Sequence, residues 1–173
     1  IKITPINFEG TVKFSSYVEA GVENHTRKTN PLVDYGPFGK HLVVEELKSD
    51  EDYILYQGET KNSKLSMACG SVVVTDGHMT ECVIGEEDGH TSYEVYAEEG
   101  KEVTFEKMIA YTSELDMPKE EILPFIRAKL SEAKVLGYDK YEALQKEKMD
   151  EFWSKADIKI EGDEELQQGI RFN

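Results

Sequence analysis

The sequence predicts an antiparallel β domain, a sandwich or a barrel, followed by a helical extension. Three observations carry that reading. Short runs rich in Val, Ile, Tyr, Phe and Thr, broken by Gly, Asp and Asn, fill the first 115 or so residues. After Thr112 the apolar period changes from 2 to 3.6. The length, 173 residues, suits one large domain with a small appendage.

The β elements follow in order. Ile1 to Phe8 and Thr11 to Val18 flank Glu9-Gly10, which reads as a two-residue turn. In the second run Val12, Phe14, Ser16 and Val18 share one face, and Thr11, Lys13, Ser15 and Tyr17 the other. Leu42 to Leu47 and Tyr53 to Glu59 come next. The clearest hairpin signal is Asp76-Gly77, between Ser66–Thr75 and His78–Ile84. Ser92 to Ala97 and Glu102 to Thr112 complete roughly eight strands, a number typical of sandwiches and barrels. Residues 24 to 40 interrupt the pattern with a long polar connection carrying His25, Tyr35 and Phe38. Connections beyond about 12 residues are functional or mobile, and the sequence leaves both open.

In the helical part, Ile122, Phe125, Ile126, Leu130, Ala133 and Leu136 form one stripe, entered at Asp116 and Pro118. Pro124 falls in its first turns and Gly137 reads as its stop. Asp139, with Glu142 three positions on, resembles a capping box that starts a second helix. That helix would carry its apolar face on Tyr141, Leu144, Met149, Phe152 and Trp153, with Trp153 packed inside. A third helix starts near Asp163. The organisation expected is therefore a β portion over 1–115, a helical linker over 116–162 and a further helical start over 163–173.

Charge narrows the partners. Twenty basic and thirty-five acidic residues give a net charge of −15, which repels phosphate backbones and anionic lipid heads. Nucleic acid and membrane are therefore not expected partners. There is no apolar run near the roughly 18 residues of a spanning helix, and no signal-like start. Cytoplasmic localisation is expected. The chain opens on Ile1-Lys2-Ile3-Thr4 and closes inside an amphipathic pattern, so it reads as a piece of a larger protein.

Chemistry-bearing residues are scattered. His25, His41, His78 and His90 have no partner at a metal-ligand spacing such as H-E-x-x-H. Cys69 and Cys82 flank the Asp76-Gly77 turn and would face each other across a hairpin, where two buried thiols are the expectation rather than a disulfide. Glu45-Glu46, Glu86-Glu87-Asp88 and Glu98-Glu99 fall at strand ends or turns and read as solvated edges. Asn24-His25-Thr26 matches a glycosylation sequon without a secretory signal to make it meaningful. Neither G-x-S-x-G nor a phosphate-binding glycine loop is present. No catalytic, cofactor-binding or metal-binding residue is assigned.

Several segments together resemble a known family. They are Ile3-Thr4-Pro5-Ile6-Asn7-Phe8-Glu9-Gly10, then Gly21-Val22-Glu23-Asn24 and Thr60-Lys61-Asn62-Ser63. The Trp153 helix follows, and then Ala156 to Asn173, whose core is Ile158-Lys159-Ile160-Glu161-Gly162-Asp163. This series resembles glycoside hydrolase family 65, the maltose, trehalose, kojibiose and nigerose phosphorylases. The resemblance runs along essentially the whole chain and is weakest at 25 to 40. Tyr17-Val18-Glu19-Ala20 departs from the more polar turn of relatives.

The resemblance implies the later part of an N-terminal β-supersandwich of galactose-mutarotase type, its helical linker, and the first residues of a catalytic helical barrel at 163–173. It implies a parent enzyme, a phosphorylase or a hydrolase, that acts on an α-glucosidic disaccharide, the phosphorylase by inversion with inorganic phosphate as co-substrate and β-glucose 1-phosphate as product. It implies that the catalytic groups lie outside this chain, which would be inactive alone and would partner the remainder of its own polypeptide. A homodimer is expected. The competing function is a stand-alone carbohydrate-binding module, with Tyr53, Tyr56, Tyr93 and Tyr96 as its stacking candidates.

Overall fold

The computed structural model describes residues 1–23 and 39–172, which divide into two compact units, Ile1–Val135 and Leu136–Asn173. The first unit contains eight strands: β1 (Lys2–Ile3), β2 (Gly10–Glu19), β3 (Leu42–Asp50), β4 (Tyr53–Thr60), β5 (Ser66–Thr75), β6 (His78–Ile84), β7 (Asp88–Ala97) and β8 (Val103–Ser113). All pairings are antiparallel, within a five-stranded sheet ordered β1-β8-β5-β4-β3 and a three-stranded sheet ordered β2-β7-β6. The helix α1 (Lys119–Ala156) begins in this unit. The antiparallel supersandwich portion followed by helix is the fold class the sequence predicts.

Turn chemistry explains the true hairpins. Glu51 takes φ 56° between β3 and β4, and Lys64 takes φ 58° between β4 and β5. The latter turn is closed by the Lys64 N–H donating to the Thr60 carbonyl at 3.0 Å and the Leu65 N–H to Thr60 Oγ1 at 2.9 Å. The β6–β7 turn closes with the Gly85 N–H on the Asp88 carbonyl at 2.7 Å.

Two hairpins expected from the sequence are absent. The opening segment does not pair with β2. Only Lys2 and Ile3 form a strand, on β8, and the chain then crosses to the other sheet. Pro5, fully buried, has no N–H to give a ladder, and its carbonyl instead accepts the Gly100 N–H at 2.8 Å. The Asp76-Gly77 turn also crosses between sheets, since β5 pairs with β4 and β8, whereas β6 pairs with β7. Asp76 Oδ2 accepts the Thr104 N–H at 2.8 Å, and Thr75 Oγ1 donates to the Thr104 carbonyl at 2.8 Å, tying the turn to β8. Glycine is needed at 77 for close approach, because a Cβ there would lie 2.4 Å from the Glu94 carbonyl oxygen. Cys69 and Cys82 therefore sit on different sheets, both as free thiols, and do not face each other.

The five-stranded sheet packs apolar residues on both faces. Between the sheets lie Phe14, Val73, Tyr93, Val95, Ala97, Val103 and Phe105, with Phe14 stacked on Phe105 at 4.9 Å. On the opposite face, Tyr53, Leu55, Ala68 and Val72 pack against Ile122, Leu123, Ile126 and Leu130 of α1. Burying each such Leu or Ile contributes about 1.5–3 kcal/mol. Gly70 permits the approach, since a Cβ there would meet Leu130 Cδ1 and Leu55 Cδ2, each at 2.9 Å. Arg127 lays its guanidinium 3.5 Å from the Tyr53 ring centroid and bonds Asp50 Oδ2 at 2.5 Å. Of the predicted stripe, Ile122, Ile126, Leu130 and Ala133 are buried, while Phe125 and Leu136 lie at the exposed flank.

The second unit begins where α1 is interrupted. Gly137 takes φ 72°, ψ 169°, outside helical geometry, at the position the sequence marks as a stop. The helix resumes to Ala156, and α2 (Glu164–Phe172) follows, capped by Asp163 Oδ1 accepting the Leu166 N–H at 2.9 Å. Arg171 grips Asp157 through two bonds of 2.8 and 2.6 Å, and Gln167 bonds the backbone of Ile158 and Ile160. The apolar stripe predicted as a packed face is not covered. Tyr141, Leu144, Met149 and Phe152 are exposed, and Trp153 is only half-buried, edge-on to Phe152 at 5.1 Å. Among its described residues the unit offers two helices and no sheet, too little apolar surface to bury that stripe.

Candidate functional site

The structure does not bring the sequence's chemistry-bearing side chains together among the described residues. Among the described residues, no group of three His, Cys, Asp or Glu could hold a metal ion. His25, Asn24 and Thr26 of the sequon, Tyr35 and Phe38 lie outside the described residues. His90 contacts the Tyr17 ring at 5.2 Å and lies 3.7 Å from Glu81 Oε2. His78 pairs across strands with Glu94, and the His41 carbonyl accepts the Lys61 N–H at 2.8 Å.

Four of the carboxylates singled out form surface ion pairs: Glu45 with Lys119 at 2.6 Å, Glu46 with Lys48 at 2.8 Å, Glu87 with Lys40, and Glu98 with Lys101 at 2.6 Å. Such exposed pairs contribute little, about 0–1 kcal/mol each. Of the stacking candidates, Tyr53, Tyr56 and Tyr93 are buried and only Tyr96 is exposed.

One cleft of about 320 Å³ opens between the two sheets, lined by Val18 of β2, Tyr56 of β4, Cys69 of β5, and Lys107, Ile109 and Tyr111 of β8. Alternation positions these groups, because Cys69 and Tyr56 stand on the inner sheet face and Lys107, Ile109 and Tyr111 continue the face that carries Val103 and Phe105. Tyr56 is 2% exposed, and its hydroxyl has no hydrogen-bond partner among the described residues. Its ring lies over Gly58, where a Cβ would meet Tyr56 Oη at 2.2 Å.

Burial raises the Tyr56 hydroxyl above its usual value and pushes the Cys69 thiol up to about 11, against the opposing pull of Lys107. Burial lowers Lys107, whose Nζ donates to the Tyr17 carbonyl at 2.6 Å. Burial thus holds the thiol and the phenol in their uncharged forms at neutral pH and works against the charge of Lys107. Among the cleft's described lining residues there is no carboxylate pair of the kind glycoside cleavage needs. Sequence reasoning missed Lys107 and Tyr111. The signal available was the apolar–polar alternation of residues 103–113, which puts both on the face of Phe105.

The first unit is thus a β-sandwich of two unequal antiparallel sheets backed by a helix, the architecture of a carbohydrate-enzyme type sandwich rather than of a metal centre among its described residues. The family model for the glycosyl hydrolase family 65 N-terminal domain matches residues 1–152, and the chain belongs to that family. It is 30% identical over 172 residues to the alpha,alpha-trehalose phosphorylase of Thermoanaerobacter brockii, covering 98% of this chain and 22% of that protein. It is 33% identical over 177 residues to the alpha,alpha-trehalose phosphorylase of Geobacillus stearothermophilus, covering 100% and 22%. A solved structure from the human microbiome, provisionally assigned as a kojibiose phosphorylase, superposes with a TM-score of 0.74 at 15% identity, over 95% of this chain and 20% of that one. The chain thus spans about a fifth of the length of these relatives.

Proposed function

We propose that this chain is the non-catalytic sandwich-and-linker portion of a family 65 disaccharide phosphorylase, with residues 116–162 as linker and 163–173 as the start of a catalytic helical barrel. The parent would cleave an α-glucosidic disaccharide by inversion, using inorganic phosphate and releasing β-glucose 1-phosphate. The family match over residues 1–152 carries the reading, and the cleft, without a carboxylate pair among its described lining residues, agrees with it. We take the parent to be a cytoplasmic homodimer with no organic or metal cofactor. A stand-alone carbohydrate-binding module fits less well, since three of its four candidate tyrosines are buried. The test is phosphate-dependent release of glucose 1-phosphate from trehalose, maltose and kojibiose. The 173-residue chain should release none, and the longer polypeptide encoded by its reading frame should release it from at least one. Activity of the short chain, or inactivity of the long one on all three, would overturn the proposal.

A further inference from the structure

Within the first unit, α1 carries Lys119, Arg127 and Lys134, successively about two turns apart. Each meets an acid of the edge strand β3 or of the turn that follows it. Lys119 Nζ bonds Glu45 Oε1 at 2.6 Å, Arg127 Nε bonds Asp50 Oδ2 at 2.5 Å, and Lys134 bonds Asp52. The order along the helix is the order along the strand and its turn. Two local features aim the acids. Glu45 is the extra residue of a β-bulge, since Val44 pairs with Gly58 and Glu46 with Gln57, and a bulge re-aims its side chain out of the ladder. Glu51, at φ 56°, closes the turn and stands 3.4 Å from Arg127. Tyr53, which follows Asp52, puts its ring 3.5 Å from the Arg127 guanidinium carbon and 5.6 Å from Lys134 Nζ.

The apolar contact beneath α1 marks the helix position only weakly. Ile122, Ile126 and Leu130 recur every four residues, so a slide of one turn, about 5.4 Å, leaves two of the three seats filled by Ile or Leu. Gly70 lies under both Ile126 and Leu130 and offers no side chain to stop such a slide. Packed helices do move past their neighbours in steps of one turn. The charges mark the position sharply, because the same slide parts every cation from its acid. We propose that this ladder of three ion pairs fixes the register of α1 on the five-stranded sheet, and so sets where the chain leaves the first unit at Val135. Each pair alone adds little to stability. Register, however, depends on the difference between two seats, and all three pairs are lost together in the wrong one. Flanking charge pairs select pairing between coiled-coil helices in the same way.

The experiment measures the distance between two nitroxide labels by double electron–electron resonance. One label is at Ala128→Cys, exposed on α1, and the other at Lys61→Cys, exposed on the β4–β5 turn, in a Cys69→Ala, Cys82→Ala background. Lys61 stands beyond Thr60, which pairs with Leu42 at the Glu45 end of β3, so a slide of α1 lengthens or shortens the separation. With the ladder intact a single distance is expected. Combining Lys119→Gln, Arg127→Gln and Lys134→Gln removes the charges and keeps most of the side-chain bulk. A second distance, displaced by about 5 Å and held by at least about a fifth of the molecules, should then appear. Reversing both sides should restore the single distance, with Lys119→Glu, Arg127→Glu and Lys134→Glu set against Glu45→Lys, Asp50→Lys and Asp52→Lys. A neutral variant that keeps the one unshifted distance would overturn the proposal, because the apolar seats would then suffice. A neutral variant whose α1 leaves the sheet without a second discrete distance would also overturn it, since the pairs would hold the helix rather than place it. Failure of the reversed pairs to restore the single distance would count against it equally.

Discussion

The two faces of the five-stranded sheet differ in how completely they are covered. On the outer face α1 lies across the strands, and Ile122, Ile126 and Leu130 are wholly excluded from solvent. On the inner face the three-stranded sheet excludes water from Val103 and Phe105 and then ends, leaving Ile109 and Tyr111 on the same strand in solvent. Alternation thus assigns a residue to a face, and the reach of the covering element decides whether that face is buried. The outer face should dominate stability, and the open half of the inner face should contribute almost nothing in this chain.

The largest expected effect is therefore on the outer face. Leu130→Ala should cost about 2–5 kcal/mol, measured by urea denaturation, because it opens a cavity between α1, Leu55 and Gly70. A cost below 1 kcal/mol would mean that α1 is not seated as described. Next comes Gly70→Val, which pushes a side chain into Leu130, Leu55 and Ile126. Overpacking of this kind should cost about 1–3 kcal/mol, and an unchanged melting temperature would contradict the tight helix–sheet approach.

The third test distinguishes the faces by pH. Cys69, at the cleft, has its thiol raised from 9.0 to about 11 in the folded chain. A raised thiol contributes stability that is intact below the unfolded value and is lost as pH rises through the folded one, here between about 9 and 11. Thiolate absorbance should show one cysteine titrating near 11, and Cys69→Ala should flatten the fall in stability over that window. The smallest effect belongs to the open surface. Tyr111→Ser should change stability by no more than about 0.5 kcal/mol, and a loss above 2 kcal/mol would reveal cover that the comparison denies.

How much of this was legible in the sequence depends on whether the deciding contact is local. The interruption at Gly137 and the cap at Asp163 are set by one residue and its near neighbours, and both stand where the sequence places them. Asp76-Gly77 looks the same in a hairpin and in a crossing between sheets. What decides is a bond from Asp76 to Thr104, which no local pattern contains. Tyr53 and Tyr56 were candidates for an exposed platform because aromatic strand residues can face either way. They lie on opposite faces of β4, a strand buried on both sides, as its unbroken run Tyr53-Ile54-Leu55-Tyr56 allowed. The cleft was out of reach because its groups come from β2, β4, β5 and β8, brought together by sheet order alone.

That sheet order also governs how the chain acquires its structure in time. The local pairings β3–β4, β4–β5 and β6–β7 can zip as soon as their turns close. β2 must instead wait for β7, across gaps such as the 77 residues between Ser15 and Ser92, and β1 waits longer still for β8. On a ribosome adding about 5–20 residues per second, β2 would emerge seconds before its partner exists. Loop-closure entropy must be met before those contacts reward it, which puts the rate in the millisecond-to-second range of high contact order. Through that interval β2 is an orphan strand with both edges bare. Its Lys13, exposed opposite the later-arriving Glu94, places a charge there that discourages premature pairing with a neighbouring nascent chain.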